Sequence, residues 1–342
     1  MATLNDISRE TGLSLSTISH VLNGRPGFSA QTRDRVHAAA RKLNYKPNLM
    51  ARGLRGSRGT QMVGLVWSLG RPEAQMIIRM VGQRLWQQGY AMQMHESMSS
   101  DAMVLEALRD LNSRGVEAVV VQHYIGMLKN RDILKQLEKF KSVLLVSINI
   151  TDGAISGPWD TIIQDAAPAV ESLMDYWART GRKRPALMGT RDLIERFEQP
   201  LTSFKKKLVE HGWSDEDFII DKGTAGNFGQ YVDSYIEAID KQFHGRHFPY
   251  DAVLCVGDDG AGAMHYWLGE NGYKVGQDVS VAGYGNRDWT LALRPQLASI
   301  EPHNDQLAQA IASMLFKRLD DASISQQKKV ISTSFQWRPS AG

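Results

Sequence analysis

The sequence of 342 residues is poor in cysteine and in long apolar runs, and each shortage excludes a class of protein. Cys255 is the only cysteine, so an internal disulfide is impossible and a metal cage built from the cysteines of one chain is excluded. Apolar runs such as Ala118 to Val121 are too short to cross a bilayer. The segment MATLNDISRE has no basic start followed by an apolar stretch, so it does not predict export. Together these shortages favour a cytoplasmic globular protein.

The net charge of +3 conceals an uneven distribution of charge along the chain. Residues 1–61 hold ten Lys/Arg and three Asp/Glu, which is a net charge of +7. The rest of the chain holds 30 basic and 34 acidic side chains, which is a net charge of −4. A small basic segment on a mildly acidic body is expected when only that segment meets a polyanion such as DNA. A solvated basic surface is the plainer interpretation, and the charge alone leaves both open.

Residues 3–43 predict three short helices, with start and stop signals that place them at 4–11, 15–22 and 30–43. In the second helix, Ile18, Val21 and Leu22 fall on one apolar face. The opposite face therefore carries Leu15, Ser16, Thr17, Ser19 and His20. Short hydroxyl side chains suit close approach to phosphate oxygens and base edges. This pattern favours a helix-turn-helix DNA-binding module over a plain three-helix packing module.

A glycine-rich segment follows the third helix. Pro47 ends the preceding helical pattern, and Asn48 can cap a short stretch from Leu49 to Arg55. Gly53 lies inside that stretch, and a glycine in a helix interior costs about 1 kcal/mol relative to alanine. A helix this short does not hold alone in water. The segment is therefore predicted to be either a plain linker or a helix that forms only when it docks.

The segments TLNDISRETGLSLSTISHVLNG, FSAQTRDRVHAAARKLNYKPN and ARGLRG resemble the head and hinge of the lactose-repressor (LacI/GalR) family of bacterial transcription regulators. The resemblance implies a homodimer on a near-palindromic operator, with one recognition helix per subunit in the major groove and two hinge helices paired in the minor groove. By position, it assigns base contacts to Leu15, Ser16 and His20. It assigns DNA-backbone contacts to Thr3, Ser14, Thr17, Ser19, Asn23, Ser29, Thr32 and Tyr45. It assigns the minor-groove contact to Asn48, Ala51, Arg52, Leu54 and Arg55, with Leu54 as a wedge between bases.

From Met62 onward, short Val/Ile/Leu-rich strands alternate with amphipathic helices in two series, which predicts two doubly wound parallel sheets. This order resembles the type I periplasmic-binding-protein fold that the family uses. The predicted class is therefore α/β, with an all-α helix-turn-helix head and two parallel-sheet subdomains. The predicted bounds are 1–46 for the DNA-binding domain, 47–60 for the hinge and linker, and 61–342 for the effector-binding and dimerisation domain. Its N-subdomain is placed at about 61–160 and 290–320, and its C-subdomain at about 161–289 and 321–342.

Ligands of such sheets bind beyond the carboxyl ends of the strands. The predicted effector contacts are therefore residues that follow strands, namely Trp67, His123, Tyr124, Asn149, Arg196, Asp258 and Asn286. The family often has an arginine at the position of Pro200 and an aspartate at the position of Gly285, and this chain has neither. The expected effector is a sugar or sugar derivative, with a phosphorylated sugar, a disaccharide or an uncommon ligand as open alternatives.

The predicted function is a ligand-responsive, sequence-specific transcription regulator, in the first place a repressor, whose partners are operator DNA, a small molecule and a second copy of the chain. A periplasmic-type sugar-binding protein shares the body, but it predicts an export signal and no basic head. A dinucleotide-binding enzyme predicts a glycine loop early in the body, and GDDGAGAMH has neither that position nor that spacing. No metal site, cofactor or catalytic set is predicted.

Overall fold

The computed structural model describes residues 2–22, 26–45, 60–70, 72–150, 155, 157–189, 198–214, 219–221 and 231–342. The chain divides into two compact units, which are Met1–Gln61 and Met62–Gly342. None of the described helices is both long and apolar enough to cross a membrane.

The first unit contains three helices, α1 (Leu4–Thr11), α2 (Leu15–Leu22) and α3 (Ala30–Lys42). Thr3 and Asp6 form the capping box of α1, and Gly12 ends this helix in the left-handed conformation at φ 63°. The Ser29 side chain accepts the amide N–H of Thr32 and so caps α3. The buried core consists of Ile7, Ile18, Val21, Val36 and Ala39. The predicted helices are confirmed, with α3 one residue shorter than expected.

The second unit begins with a six-stranded sheet in the order β11-β5-β4-β3-β1-β2, in which every pairing is parallel. Its strands are β1 (Met62–Trp67), β2 (Ala91–Glu96), β3 (Ala118–His123), β4 (Ser142–Ile148), β5 (Asp160–Asp165) and β11 (Lys328–Ser332). One face packs on α4 (Pro72–Gln87) and α11 (Asn304–Asp320). The other face packs on α5 (Asp101–Ser113) and α6 (Arg131–Leu137). We call this sheet with its four helices the first lobe.

The second sheet has the order β12-β10-β9-β8-β6-β7, and only the β10–β12 pairing is antiparallel. Its strands are β6 (Pro185–Gly189), β7 (Ile219–Asp221), β8 (Ala252–Cys255), β9 (Ser280–Tyr284), β10 (Ala298–Glu301) and β12 (Ser334–Gln336). One face packs on α7 (Ala167–Arg179) and α8 (Glu198–Glu210), and the other on α9 (Tyr231–Phe243) and α10 (Asp258–Glu270). This sheet with its helices is the second lobe, so the predicted α/β class with two parallel sheets is confirmed.

The chain passes between the lobes three times, after β5, after β10 and after β11. The prediction put these passages near residues 160, 290 and 320, and the strand pairing places them at 165–167, 301–304 and 332–334 instead. The segment KKVISTSFQW divides at Thr333 into β11 of the first sheet and β12 of the second. The sequence of a short strand does not show which sheet the strand joins, because this depends on pairing partners far away in the chain.

Candidate DNA-binding and effector-binding sites

The outward face of α2 carries the three residues predicted to contact bases. Leu15 is 44% exposed, Ser16 is exposed, and His20 is half-buried with its ring 6.2 Å from that of Phe28. The opposite face, with Ile18 and Val21, is fully buried in the head core. An exposed leucine side chain is chemically suited to contact the methyl group of a thymine.

The hydroxyl groups around the start of α2 bind one another. The Ser14 Oγ lies 2.9 Å from the Ser16 Oγ and 2.9 Å from the Thr17 Oγ1, and it accepts the Thr17 N–H at 3.1 Å. The same arrangement recurs at the start of α3, where the Ser29 Oγ lies 2.9 Å from the Thr32 Oγ1. Helix N-termini with hydroxyl groups suit an anion, because both the amides and the rotatable O–H groups can turn toward it.

The structure describes three of the other predicted DNA contacts, which are Thr3, Tyr45 and Ser19. The Thr3 hydroxyl donates to the Asp6 carboxylate at 2.8 Å as part of the α1 cap, and Tyr45 packs against the head core. Ser19 is half-buried on α2. The remaining six lie outside the described residues, and these are Asn23, Asn48, Ala51, Arg52, Leu54 and Arg55.

In the first lobe, two predicted effector contacts lie buried at adjacent strand ends. Trp67 ends β1 inside the apolar cluster beneath α4, and its ring is fully buried. His123 ends β3 and is 3% exposed, and burial lowers the pKa of its imidazole to about 4, so it is neutral at pH 7. Neither the Trp67 Nε1 nor the His123 Nδ1 has a hydrogen-bond partner among the described residues.

Two further atoms without a described partner lie at the same edge, and the sequence analysis missed both. The Ser147 Oγ belongs to β4, where Ser147 pairs in register with His123, and the Thr333 Oγ1 directly follows β11. Ser147 could have been found from the sequence, because strand alternation puts this polar residue on the same face of β4 as the apolar residues Val143 and Leu145. The carboxyl edge of the first sheet therefore collects four buried, neutral polar groups that lack a protein partner in the described part of the chain.

Tyr124 and Asn149 are also at this edge, and both are already engaged. The Tyr124 hydroxyl donates to the Asp101 carboxylate at the start of α5. Burial, followed by this hydrogen bond to Asp101, raises the pKa of Tyr124 well above its ordinary value. Asn149 is buried with φ 59°, and its Oδ1 accepts the Tyr284 hydroxyl at 3.2 Å.

In the second lobe, Asp258 lies at the start of α10 and is 1% exposed. Its carboxylate accepts the Ser299 hydroxyl at 2.6 Å and the Arg287 N–H at 2.8 Å. Burial raises the pKa of Asp258 to about 6 although both hydrogen bonds oppose the rise, and the negative charge of Glu73 adds to it. The Asp258 carboxylate thus already accepts hydrogen bonds from two groups of its own lobe.

Asn286 belongs to the same hydrogen-bonded group. Its side-chain amide donates to the Glu301 carboxylate at 2.6 Å and accepts from the Arg338 guanidinium, and its backbone N–H donates to the Ser299 Oγ at 3.0 Å. Gly285 has φ 127°, and a Cβ there would lie 3.1 Å from the Glu73 Oε1 and 3.3 Å from the Asp258 Oδ2. An aspartate at this position would therefore add a third carboxylate beside two others.

The two remaining positions singled out by the sequence differ in what the structure says. Pro200 is buried within α8, and Arg196 lies outside the described residues. Across the described ranges, no group of three or more His, Cys, Asp or Glu side chains is arranged to hold a metal ion. A separate groove of about 750 Å³ is lined by α10, the loop after it and the C-terminus, with Tyr266 and Arg294 among its residues.

Comparisons with known proteins cover nearly the whole chain. Residues 3–48 match the family described as bacterial regulatory proteins, lacI family, and residues 174–341 match the periplasmic binding protein-like domain. Catabolite control protein A of Staphylococcus epidermidis is 25% identical over 338 residues, which is 98% of each chain. The HTH-type transcriptional repressor PurR of Pasteurella multocida is 26% identical over 329 residues, covering 94% of this chain and 93% of that protein.

Solved structures share the fold. The lac repressor dimer bound to operator and the anti-inducer ONPF superimposes with a TM-score of 0.81 at 20% identity over 99% of both chains. The transcriptional regulator CelR in complex with cellobiose gives a TM-score of 0.65 at 21% identity, covering 99% of this chain and all of that one. With a lacI-type head at residues 3–48, a periplasmic-binding-protein-like body and regulators as relatives along its length, this chain belongs to the lacI family of DNA-binding bacterial transcription regulators.

Proposed function

We propose that the protein is a repressor that binds a near-palindromic operator as a homodimer and responds to a sugar or sugar derivative. The observation that carries the DNA part is the solvent-facing side of α2, where Leu15, Ser16 and His20 stand on a helix whose other face is buried. The net charge of +7 in residues 1–61 supports contact with the phosphate backbone. The alternative, a periplasmic-type sugar-binding protein, gives no role to this basic head.

The remaining proposed DNA contacts are those that the resemblance to the family assigns by position. The phosphate contacts are Thr3, Ser14, Thr17, Ser19, Asn23, Ser29, Thr32 and Tyr45, and the minor-groove contacts are Asn48, Ala51, Arg52, Leu54 and Arg55. Residues 1–46 form the DNA-binding domain, 47–60 the hinge, and 61–342 the effector-binding and dimerisation domain. An apolar wedge such as Leu54 bends DNA most easily at a flexible pyrimidine–purine step.

The effector site is the carboxyl edge of the first sheet, where four buried polar groups have no described partner. A buried polar group without a hydrogen bond costs about 1–3 kcal/mol, so these groups are stabilised when a ligand supplies the missing bonds. All four are neutral at pH 7, since the burial of His123 holds its pKa at about 4. Neutral donors and acceptors suit the hydroxyl groups of a carbohydrate. One related structure is bound to cellobiose and another, from Enterococcus faecium, to ribose, which supports this class.

The mechanism follows from the three passages of the chain between the lobes. The effector changes the angle between the lobes, this change moves the two hinges of the dimer, and the hinges then pair or separate in the minor groove. A switch from mostly bound to mostly free requires a preference of about 5 kcal/mol for one state.

The DNA part is tested by gel mobility shift at several salt concentrations, with an operator selected from a palindromic library. The full chain with Leu15→Ala, Ser16→Ala and His20→Ala should lose at least 100-fold in preference for the selected site, because each base contact is worth about 1–3 kcal/mol. Binding to random DNA and its salt dependence should remain. A control with Gln31→Ala and His37→Ala, two exposed residues of α3, should keep the preference. If the triple variant selects the same operator as strongly as the wild type, the assignment is wrong.

The effector part is tested by a thermal-shift screen of neutral monosaccharides, disaccharides and sugar phosphates on the full chain. A probe at 100 times its Kd should stabilise the protein by about 2.7 kcal/mol. The variant His123→Phe keeps the ring and removes the unpartnered nitrogen, so it should lose most of this gain. A probe that stabilises both proteins equally would place the effector elsewhere.

A further inference from the structure

The three passages between the lobes are hydrogen-bonded to one another. The side chain of Gln164, in β5 directly before the first passage, donates to the carbonyl of Pro302 on the second passage at 2.6 Å. The Thr333 N–H on the third donates to the carbonyl of Asp165 on the first at 2.8 Å. The Ser334 Oγ lies 3.0 Å from the His303 Nε2, which joins the third passage to the second. The passages therefore behave as one connected unit.

Tyr284 connects this unit to the second lobe. It ends β9, is 6% exposed, and packs its ring in the apolar cluster between the second sheet and α7. Its hydroxyl donates at 3.2 Å to the Asn149 Oδ1 and lies 3.4 Å from the Gln164 Oε1. Both acceptors belong to the first lobe, so a hydroxyl from one lobe is buried against two amides of the other.

Both acceptors are fixed by other bonds. The Gln164 Nε2 donates to the Pro302 carbonyl and lies 3.3 Å from the Asn304 Oδ1, which turns its Oε1 toward Tyr284. The Asn149 N–H donates to the Gln164 carbonyl at 3.0 Å, and the left-handed backbone at φ 59° sets the direction of the Asn149 side chain. A hydroxyl has one proton and can donate it fully to only one acceptor at a time. Two fixed acceptors at similar distances let this proton change partner when the lobes rotate.

We propose that the Tyr284 hydroxyl is a latch that sets the angle between the two lobes by donating its proton to Asn149 or to Gln164. Removing this hydroxyl leaves two buried acceptors with fewer partners and frees the lobes to rotate about the three passages. The use of this latch in regulation rests on the proposed function, because an effector acts through the same angle.

Hydrogen–deuterium exchange of the full chain, without DNA or ligand, tests the latch. Tyr284→Phe should increase exchange by about fivefold in peptides that cover residues 145–150, 160–168 and 330–335, since a net hydrogen bond is worth about 1 kcal/mol. The matched control is Tyr273→Phe, whose hydroxyl accepts the Phe248 N–H at 2.8 Å within the second lobe. This control should change exchange near Phe248 and leave the passages unchanged.

A second variant reaches the latch from the other lobe. Asn149→Gly removes one of the two acceptors while glycine adopts φ 59° without strain, and Gln164 remains as the other acceptor. This variant should therefore increase exchange in the same peptides by less than Tyr284→Phe does, and adding it to Tyr284→Phe should change little. Equal exchange in the passages for Tyr284→Phe, Tyr273→Phe and the wild type would overturn the proposal. Faster exchange in the passages together with unchanged operator binding by Leu15, Ser16 and His20 variants would support the latch and count against the proposed function.

Discussion

The carboxyl edges of the two sheets are built differently. At the edge of the first sheet, Trp67, His123, Ser147 and Thr333 each have a buried polar atom without a partner in the described part of the chain. At the edge of the second sheet, Asp258, Ser299, Asn286 and Glu301 are joined by hydrogen bonds of 2.6 to 3.0 Å. The polar groups at the edge of the first sheet are thus available to a ligand, whereas those at the edge of the second sheet already bind one another.

This difference separates two roles, ligand binding and stability. A ligand gains most from groups whose hydrogen bonds are unmade in the free protein, because those groups have already lost their water. It gains geometric precision from a wall that does not rearrange. Changes to the first edge should therefore alter ligand binding, and changes to the second edge should alter stability.

The largest expected effect lies at the opposite, amino-terminal end of the first sheet, where the lobe is closed by an ion pair. Arg318 of α11 binds both oxygens of Asp160 at 3.0 and 2.8 Å, and the Asp160 side chain is 3% exposed. Arg318→Ala should lower the free energy of unfolding by about 3–5 kcal/mol, because it leaves a buried carboxylate unpaired. Urea denaturation measures this change. Arg287→Ala breaks the more exposed pair with Asp259 and should cost under about 1 kcal/mol; an equal loss in both variants would contradict the prediction.

The pH dependence of stability should have opposite signs at the two edges. The pKa of Asp258 is raised from 3.8 to about 6, so its stabilising contribution is complete below pH 3.8 and is lost as the pH rises through 6. The pKa of His123 is lowered from 6.5 to about 4, so its contribution is present above pH 6.5 and is lost as the pH falls through 4.

Urea denaturation of variants between pH 4 and 7 isolates each contribution. In the wild type, the ionisation of Asp258 should lower the free energy of unfolding by about 2–3 kcal/mol as the pH rises, and this decrease should be absent in Asp258→Asn. In the wild type, the protonation of His123 should lower the free energy of unfolding as the pH falls, and this decrease should be absent in His123→Phe. Difference curves with the same sign for both variants would show that the two edges do not differ in this way.

A matched pair of serines compares the edges directly, and the larger effect belongs to the second sheet. Ser299 is fully buried, donates to Asp258 and accepts the Asn286 N–H. Ser299→Ala should lower the free energy of unfolding by about 2 kcal/mol, because the bond it removes involves a buried carboxylate and leaves an N–H without an acceptor. Differential scanning calorimetry at pH 7 provides the measurement, and a loss below 0.5 kcal/mol would contradict it.

Ser147→Ala should have the smallest effect on stability. Ser147 is equally buried, yet its Oγ has no described partner, so its removal should change the free energy of unfolding by less than about 0.5 kcal/mol or raise it. The same variant should weaken binding of any sugar found in the thermal-shift screen. Destabilisation as large as that of Ser299→Ala would mean that this hydroxyl holds the fold.

The features that follow from local periodicity could be predicted from the sequence. The faces of α2 follow from the spacing of Ile18, Val21 and Leu22, and the two series of apolar strands predict two parallel sheets. The DNA contacts at Leu15, Ser16 and His20 stay predictions, as do the hinge residues outside the described part of the chain.

The features that depend on distant pairing could not be predicted. The passage points follow from β5 and β11 pairing with each other across the chain. Ser147 is hidden in an apolar strand, and the absence of a partner for its hydroxyl depends on what faces it in three dimensions. The burial of the Trp67 ring under α4 could not be predicted either, because it depends on what packs over the end of the strand, and its contact with an effector stays a prediction.

The pairing of β5 with β11 has a consequence for synthesis on the ribosome. β5 ends at Asp165 and its partner begins at Lys328, so the nascent chain carries an unpaired strand edge until nearly the whole protein has emerged. At translation rates of about 5–20 residues per second, this edge stays open for on the order of ten seconds or more. A bare edge of Thr161, Ile162 and Ile163 is open to pairing with neighbouring chains, so we expect the nascent protein to be most prone to aggregation before β11 is synthesised.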